Sequence, residues 1–138
     1  MMTVNYEIMN EAPNAKEYVE LRVAAGLSPK DLSAAEIGLK NSIHTITIRD
    51  HSKLIGMGRM IGDGGCFYQI VDIAVDPAYQ GKGLGKQIMN ELTNYMENNL
   101  PKGAYVSLIA DLPADELYKK FGFQYTSPKS VGMYRAFK

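Results

Sequence analysis

The stretch that most constrains this chain runs Ile70-Val71-Asp72-Ile73-Ala74-Val75-Asp76-Pro77-Ala78-Tyr79-Gln80-Gly81-Lys82-Gly83-Leu84-Gly85-Lys86. Its opening, mostly β-branched, reads as a buried strand. Asp76-Pro77 is a sharp turn, and a glycine-rich loop then opens directly into a helix that runs to about Leu100. Within that helix Leu84, Ile88, Leu92, Tyr95 and Met96 recur at three- and four-residue steps and make one apolar face. Glycines at 81, 83 and 85 leave backbone N–H groups uncovered at a helix N-terminus, whose partial positive charge suits an anion. Lys82 and Lys86 stand where the helix dipole disfavours a cation by roughly a few tenths of a kcal/mol, which a bound negative group would offset. A glycine-rich turn with two solvated lysines is the plain alternative. The spacing does not write G-x-G-x-x-G, because position 86 is Lys, and Gln87 after Lys86 breaks the phosphate-loop pattern G-x-x-x-x-G-K-[ST].

At 138 residues the chain is expected to form one domain over 1–138, long enough for a real core and too short for two. Fifteen basic and fifteen acidic side chains give a formal net charge of zero, which argues against non-specific nucleic-acid binding. The single cysteine, Cys66, excludes an intramolecular disulfide and a cysteine-rich metal site. His44 and His51 have no second ligand at metal spacing, so no metal is expected. The N-terminus lacks a basic region followed by an apolar core, and no apolar run approaches the roughly 20 residues that span a bilayer. A cytoplasmic protein without a membrane partner is the expectation.

In chain order, Val4 to Met9 reads as a strand, residues 15 to 26 as a helix ended by Gly26, and Ser28 to about Lys40 as a second helix with Leu32, Ala35 and Leu39 inward. Residues 43–49 and 54–61 form a meander, with Gly62 to Gly65 turning into the central strand. After the long helix come a strand over Ala104 to Ile109 and a short helix after Asp111. Phe123 to Tyr125 and Val131 to Phe137 are expected as closing strands. The order β-α-α-β-β-β-α-β-α-β-β predicts a mixed α/β fold, mostly antiparallel, with one parallel pair joined by the long helix.

Gln80-Gly81-Lys82-Gly83-Leu84-Gly85, preceded by Ile73-Ala74-Val75-Asp76-Pro77, writes the signature Q/R-x-x-G-x-G/A. Leu117-Tyr118-Lys119-Lys120-Phe121-Gly122-Phe123 follows at the expected distance as L-Y-x-x-x-G-F. On these two motifs the chain resembles the GNAT superfamily of acetyl-CoA-dependent N-acetyltransferases over most of its length. The resemblance implies a GNAT-like sheet flanked by helices, with splayed parallel central strands. It implies acetyl-CoA as co-substrate, its pantetheine arm held by the backbone of Ile73, Ala74 and Val75. Its pyrophosphate would be wrapped by Gln80, Gly81, Lys82, Gly83, Leu84, Gly85 and Lys86.

The same resemblance makes Tyr118 the general acid that protonates the coenzyme sulfur. Asp111 stands where many relatives carry a coenzyme-contacting asparagine, and Gln69 near where some carry a glutamate base. Asp72 is the sequence's candidate base, because a carboxylate inside an apolar strand has its pKa raised by burial. Pairing with a neighbouring strand's Arg59 is the equal alternative, and a water chain to solvent is the third. Strict alternation would put Asp72 on the face of Ile70 and Ala74. Arg22 and Tyr134 are candidates for the acceptor site, Arg22 for an anionic group.

The activity implied is direct acetyl transfer in a ternary complex to a primary amine, with a small-molecule acceptor. A protein N-terminus or lysine is an alternative acceptor, and a non-catalytic acyl-CoA sensor an alternative function. A homodimer is compatible with the sequence.

Overall fold

A computed structural model describes residues 6–137. Five strands line up in chain order: β1 (Glu7–Met9), β2 (His44–Asp50), β3 (Lys53–Gly62), β4 (Phe67–Val75) and β5 (Tyr105–Leu108). Every neighbouring pair is antiparallel except β4 and β5, which run parallel and are joined through the helix α3 (Leu84–Asn99). A parallel pair needs such a crossover, and the amphipathic run after Gly83 supplies it. The sheet is therefore the mixed, mostly antiparallel one expected, flanked by helices. The first strand is shorter than the sequence suggested, and Val4 and Asn5 lie outside the described residues.

Both faces of the sheet are covered. On one, Ile88, Met89 and Leu92 of α3 close over Ile46, Ile48, Ile55 and Ile70. On the other, α1 (Ala15–Ala24) and α2 (Leu32–Lys40) pack Tyr18, Leu21, Ala35 and Leu39 against Leu54, Met57 and Ala74. This is why β2 buries Thr45 and Thr47 as well as Ile46 and Ile48: alternate residues point to opposite faces, and neither face meets water. Leu32, expected inward, is half-exposed, because it occupies the first position of α2 and points past the apolar stripe.

α3 sits unusually close to β3. A Cβ on Gly58 would lie 2.5 Å from Cγ2 of Ile88 and 2.7 Å from Cδ1 of Ile73, so only a hydrogen at this position lets helix and strands meet. Opposite Gly58 the β3–β4 register slips: Met57 faces Ala74 while Arg59 faces Val71. The extra residue in β4 makes a β-bulge, and Asp72 within it has φ +60°, a left-handed conformation that costs a non-glycine residue about 1–2 kcal/mol. The bulge corrects the expected alternation. Ile70 and Ile73 pack on the α3 side, whereas Asp72 reaches α1 on the other.

The closing strands are a second correction. After the short helix α4 (Asp115–Lys119), residues 123–137 form no strand, neither at 123–125 nor at 131–137, and Val131, Met133, Tyr134 and Phe137 stand exposed. A strand exists only against a partner, and among the described residues no backbone hydrogen bond joins the chain after Ser130 to β5; the segment before it ends in the turn Thr126–Ser130, closed by Ser130 N–H donating to the Thr126 carbonyl at 3.0 Å.

Candidate active site

The loop between β4 and α3 is built by local hydrogen bonds. The Asp76 carboxylate accepts from Ala78 N–H at 2.9 Å and starts a single 3-10 turn, Pro77–Tyr79, with proline pre-set for it. The Gln80 side chain reaches back and donates to the Val75 carbonyl at 3.0 Å. Gly81 and Gly83 then adopt φ of +79° and +81°. At both, an added Cβ would meet no protein atom within 4 Å, so glycine serves the backbone turn and leaves the outer side open. Gly83 is the N-cap of α3 and has no side-chain cap. The first N–H groups of a sixteen-residue helix therefore face outward unpaired by any side chain, with the exposed Lys82 and Lys86 beside them.

Beside this mouth the two parallel strands part. β4 and β5 pair only over Phe67–Ile70 and Tyr105–Leu108. Beyond Ile70 the bulge bends β4 away: Val71, Ala74 and Val75 keep β3 partners, Asp72 and Ile73 fall in the bulge, and none of the five pairs on the β5 side. The gap opens into a cleft of about 530 Å³, whose walls include Val71, Asp72, Ile73, Leu108, Asp111 and Tyr118. Tyr118 comes from α4, is buried, and turns its ring to both the core and the cleft. Burial, with the nearby Asp111 carboxylate as the lesser cause, pushes its phenol pKa above the ordinary value of about 10, so it holds its proton at neutral pH. Asp111 itself is exposed on the cleft rim.

The far wall of the cleft is an ionic cluster. Both oxygens of Asp72, whose side chain is 5% exposed, are engaged: one by Arg22 Nη1, the other by Arg59 Nε at 2.8 Å and by the Tyr18 hydroxyl at 2.7 Å. Arg22 further donates to the Ser28 carbonyl and hydroxyl, and Arg59 to the Gly38 carbonyl and Ser42 hydroxyl, tying β3 and β4 to the ends of both helices. The partner Arg59 is the one the sequence offered as an alternative to catalysis. Arg22 and Tyr18 join it only because α1 packs beside the bulge. The desolvation and the hydrogen bond to Asp72 raise the Tyr18 pKa, so it stays a donor.

Of the residues singled out from sequence, Ile73, Asp72, Asp111, Tyr118 and Arg22 meet around one cleft, and the loop Gln80 to Lys86 lies at the end of the β4 strand that lines it. Tyr134 does not join them within its own chain. It lies in the exposed segment after Ser130. Tyr18, Lys30 and Arg59 were not singled out as parts of an acceptor site, yet all three line the cleft. The buried polar tyrosine on an apolar helix face was the available signal for Tyr18. Among the described residues no group of three or more His, Cys, Asp or Glu could hold a metal ion, and no helix is long and apolar enough to cross a membrane.

Comparison with known proteins agrees with this geometry. Residues 41–125 match the family model described as the acetyltransferase (GNAT) domain. A Staphylococcus aureus protein of unknown function, described as a probable acetyltransferase, superposes with a TM-score of 0.92 at 50% identity, covering 96% of this chain and 100% of that one. An uncharacterized N-acetyltransferase, ycf52, of Pyropia yezoensis is 32% identical over 122 residues, 86% of this chain and 69% of that protein. The histone acetyltransferase TAP1 of Glycine max is 30% identical over 82% of this chain, which spans 48% of its length. The family match over most of the chain, with relatives of 30% identity or more, agrees with the fold and the site, and the chain belongs to the GNAT acetyltransferase family.

Proposed function

We propose that the protein transfers an acetyl group from acetyl-CoA to the primary amine of a small molecule, by direct attack while both are bound. The observation that carries this reading is that the unpaired β4 edge and Tyr118 line one cleft, while the open α3 N-terminus follows β4 in the chain and packs at Gly85 beside Leu117, the neighbour of Tyr118. Acetyl-CoA, the co-substrate the family implies, fits the residues present. Two left-handed glycines leave room where a Cβ would project into open space, and the free N–H groups suit a diphosphate. Gln80 to Lys86 would hold that diphosphate, and the Ile73 to Val75 backbone would pair with the pantetheine amides as a sheet edge pairs with an added strand. Once bound, the molecule supplies an acyl thioester with a good leaving group.

The chain's own residues then have three tasks. An alkyl ammonium with pKa of about 10.4 is uncharged in only about four molecules per ten thousand at pH 7, so the acceptor must lose a proton before it can attack. Asp72 was the sequence's candidate for that, but its carboxylate is fully engaged, one oxygen by Arg22 and the other by Arg59 and Tyr18, and neither is left free to meet an acceptor amine. We assign Asp72 to positioning Arg22 and Arg59, and the deprotonation to water in the open cleft. A backbone N–H near Ile73 or Ala74 would stabilise the charge developing on the carbonyl oxygen. Tyr118 would return a proton to the departing sulfur, and its raised pKa keeps that proton in place at neutral pH.

The cleft is of small-molecule size, within the roughly 300–1,000 Å³ typical of such sites, and its wall carries Arg22, Lys30 and Arg59 against Asp72 and Asp111. That surplus of cationic groups favours an amine acceptor that also bears a carboxylate or phosphate. A protein acceptor is the second reading, favoured by the soybean relative's name and by an N-alpha-acetyltransferase, RimI, of Mycobacterium tuberculosis that is 36% identical over 58 residues. Thiol release from acetyl-CoA, measured across a panel of anionic amines, neutral amines and N-terminal peptides, separates the two. Turnover confined to peptides would overturn the small-molecule acceptor, and no turnover with any amine would leave an acyl-CoA sensor.

A further inference from the structure

The turn between β2 and β3 grips the start of the glycine loop. His51 and Ser52 both take left-handed φ, +48° and +76°, so the hairpin closes in two residues between the paired Asp50 and Lys53. A two-residue turn of this kind matches the twist of its strands and leaves no slack, which fixes the residues at its base relative to the sheet. From that base the Tyr79 hydroxyl is held by Asp50, donating to its Oδ2 at 2.6 Å. Lys53 Nζ lies 3.6 Å from Asp76 Oδ2 and 5.8 Å from the centre of the Tyr79 ring, and Asp76 N–H donates to the Ile55 carbonyl at 2.8 Å.

Of these ties the Asp50–Tyr79 bond is the strong one: a phenol donating to a carboxylate, both half-buried, with the Tyr79 ring packed on the main core and edge-on to Tyr6 at 5.7 Å. It pushes the Tyr79 phenol up to about 12, so the donor keeps its proton at any ordinary pH. Lys53 is largely exposed, and its ion pair contributes little. The chain after Tyr79 has no comparable anchor. Gln80 bonds back to the Val75 and Pro77 carbonyls, but among the described residues Gly81 and Lys82 make no hydrogen bond to the protein. The next backbone bond is Gln87 N–H donating to the Gly83 carbonyl at 3.1 Å, already inside α3. The open stretch is therefore placed from its two ends, by α3 on one side and by Tyr79 on the other.

We propose that Asp50 is a positioning residue for the coenzyme: through the Tyr79 hydroxyl it fixes the glycine loop where its N–H groups meet the diphosphate. This rests on the acyl-transfer reading, in which Gln80 to Lys86 hold that group. An untied loop samples more backbone states, and binding must then supply the ordering, so the loss appears as weaker coenzyme affinity. Neither Asp50 nor Tyr79 lines the cleft that holds Tyr118 and Asp72, so neither touches the reacting atoms. The two are 29 residues apart, and only the pairing of β2 with β3 and of β3 with β4 brings them together.

Calorimetric titration of acetyl-CoA, on variants whose circular dichroism matches the wild type, tests the assignment. Asp50→Ala and Tyr79→Phe should each raise the Kd by about 5–10-fold, the worth of one hydrogen bond to a carboxylate. The double variant should lose no more than the worse single one, because both remove the same bond. Asp50→Asn, whose amide oxygen still accepts the phenol proton, should stay within about 2-fold of the wild type. Glu17→Ala is the control. Glu17 pairs with Arg49, the residue before Asp50, at 2.7 Å, so its loss disturbs the same end of β2 without reaching Tyr79. Its Kd should also stay within about 2-fold. Should Asp50→Ala not fold, Tyr79→Phe and Asp50→Asn carry the comparison. A wild type that binds while Asp50→Ala and Tyr79→Phe bind equally well overturns this assignment alone. Losses that multiply in the double variant, or an equal loss in Glu17→Ala, do the same. A folded wild type that ignores acetyl-CoA overturns the acyl-transfer reading as well.

Discussion

Tyr118 and Asp72 are the two residues on which the proposed chemistry turns, and their surroundings differ: apolar burial around one, an ionic cluster around the other. Tyr118 is desolvated, so its proton is hard to remove, and that suits the role proposed for it as donor to a leaving sulfur. Tyr118→Phe should lower kcat by about 10²-fold, the low end of general-acid effects because a thiolate already leaves well, while changing the KM for acetyl-CoA little. Because its pKa is raised, no loss of activity due to this group should occur until the pH passes about 10. Unchanged turnover of the Phe variant across that range would remove Tyr118 from the reaction. Asp72→Asn should leave Arg22 and Arg59 facing a neutral amide and cost about 3–5 kcal/mol in denaturant titrations, as loss of one partner of a buried ion pair does. The acidic limb of its pH–rate profile should stay where it is in the wild type; a shifted limb would restore Asp72 as the base. Its tie to Arg59 was readable from sequence, since a neighbouring strand was an obvious source of a cation. Its ties to Tyr18 and Arg22 were not, being separated from it by 54 and 50 residues and made only by the docking of α1.

At the scale of elements, the bulge in β4 and the glycine floor of β3 cooperate. One bends β4 away from β5, and the other lets α3 drop onto the sheet. Gly58→Ala tests the second: the new methyl would clash with Ile88 and Ile73 and should destabilise by about 1–3 kcal/mol, lowering the denaturation midpoint. An unaffected midpoint would mean that α3 can shift at no cost. His44 on β2 stacks on Tyr95 of α3 at 3.9 Å, and burial lowers its pKa below the ordinary 6.5. The imidazole is then neutral in the fold but protonated in the unfolded chain once the pH falls below about 6.5. Stability should decline as pH drops through that range, less so in His44→Gln. An identical decline in the variant would assign it to other groups. The strand, loop and long helix were legible because a β-branched run, an Asp-Pro turn and a 3.6-residue period each have local causes. The bulge was not, because a register slip belongs to two strands at once and strict alternation is the default along one.

For the whole molecule, the sheet is covered on both faces and ends, among the described residues, at the edge strands β1 and β5. The layered α/β/α arrangement follows from the order of elements, and it was the one expected. The final strands were expected from the alternation of Val131 to Phe137, which is real. What sequence could not say is that this segment lies exposed and forms no strand, because alternation alone does not supply a neighbouring strand to pair with. The account rests most heavily on the loop of residues 80–86 gripping a diphosphate beside the unpaired edge of β4. The measurement that reaches it most directly is calorimetric titration of acetyl-CoA into the wild type and into Gly83→Val. A branched side chain at a left-handed N-cap strains the loop by about 1–2 kcal/mol but meets no protein atom, so the variant should remain folded by circular dichroism. The wild type should bind saturably and the variant at least ~10-fold more weakly, a difference of about 1.4 kcal/mol. No binding by folded wild type at millimolar acetyl-CoA, or equal affinity in the two proteins, would contradict it.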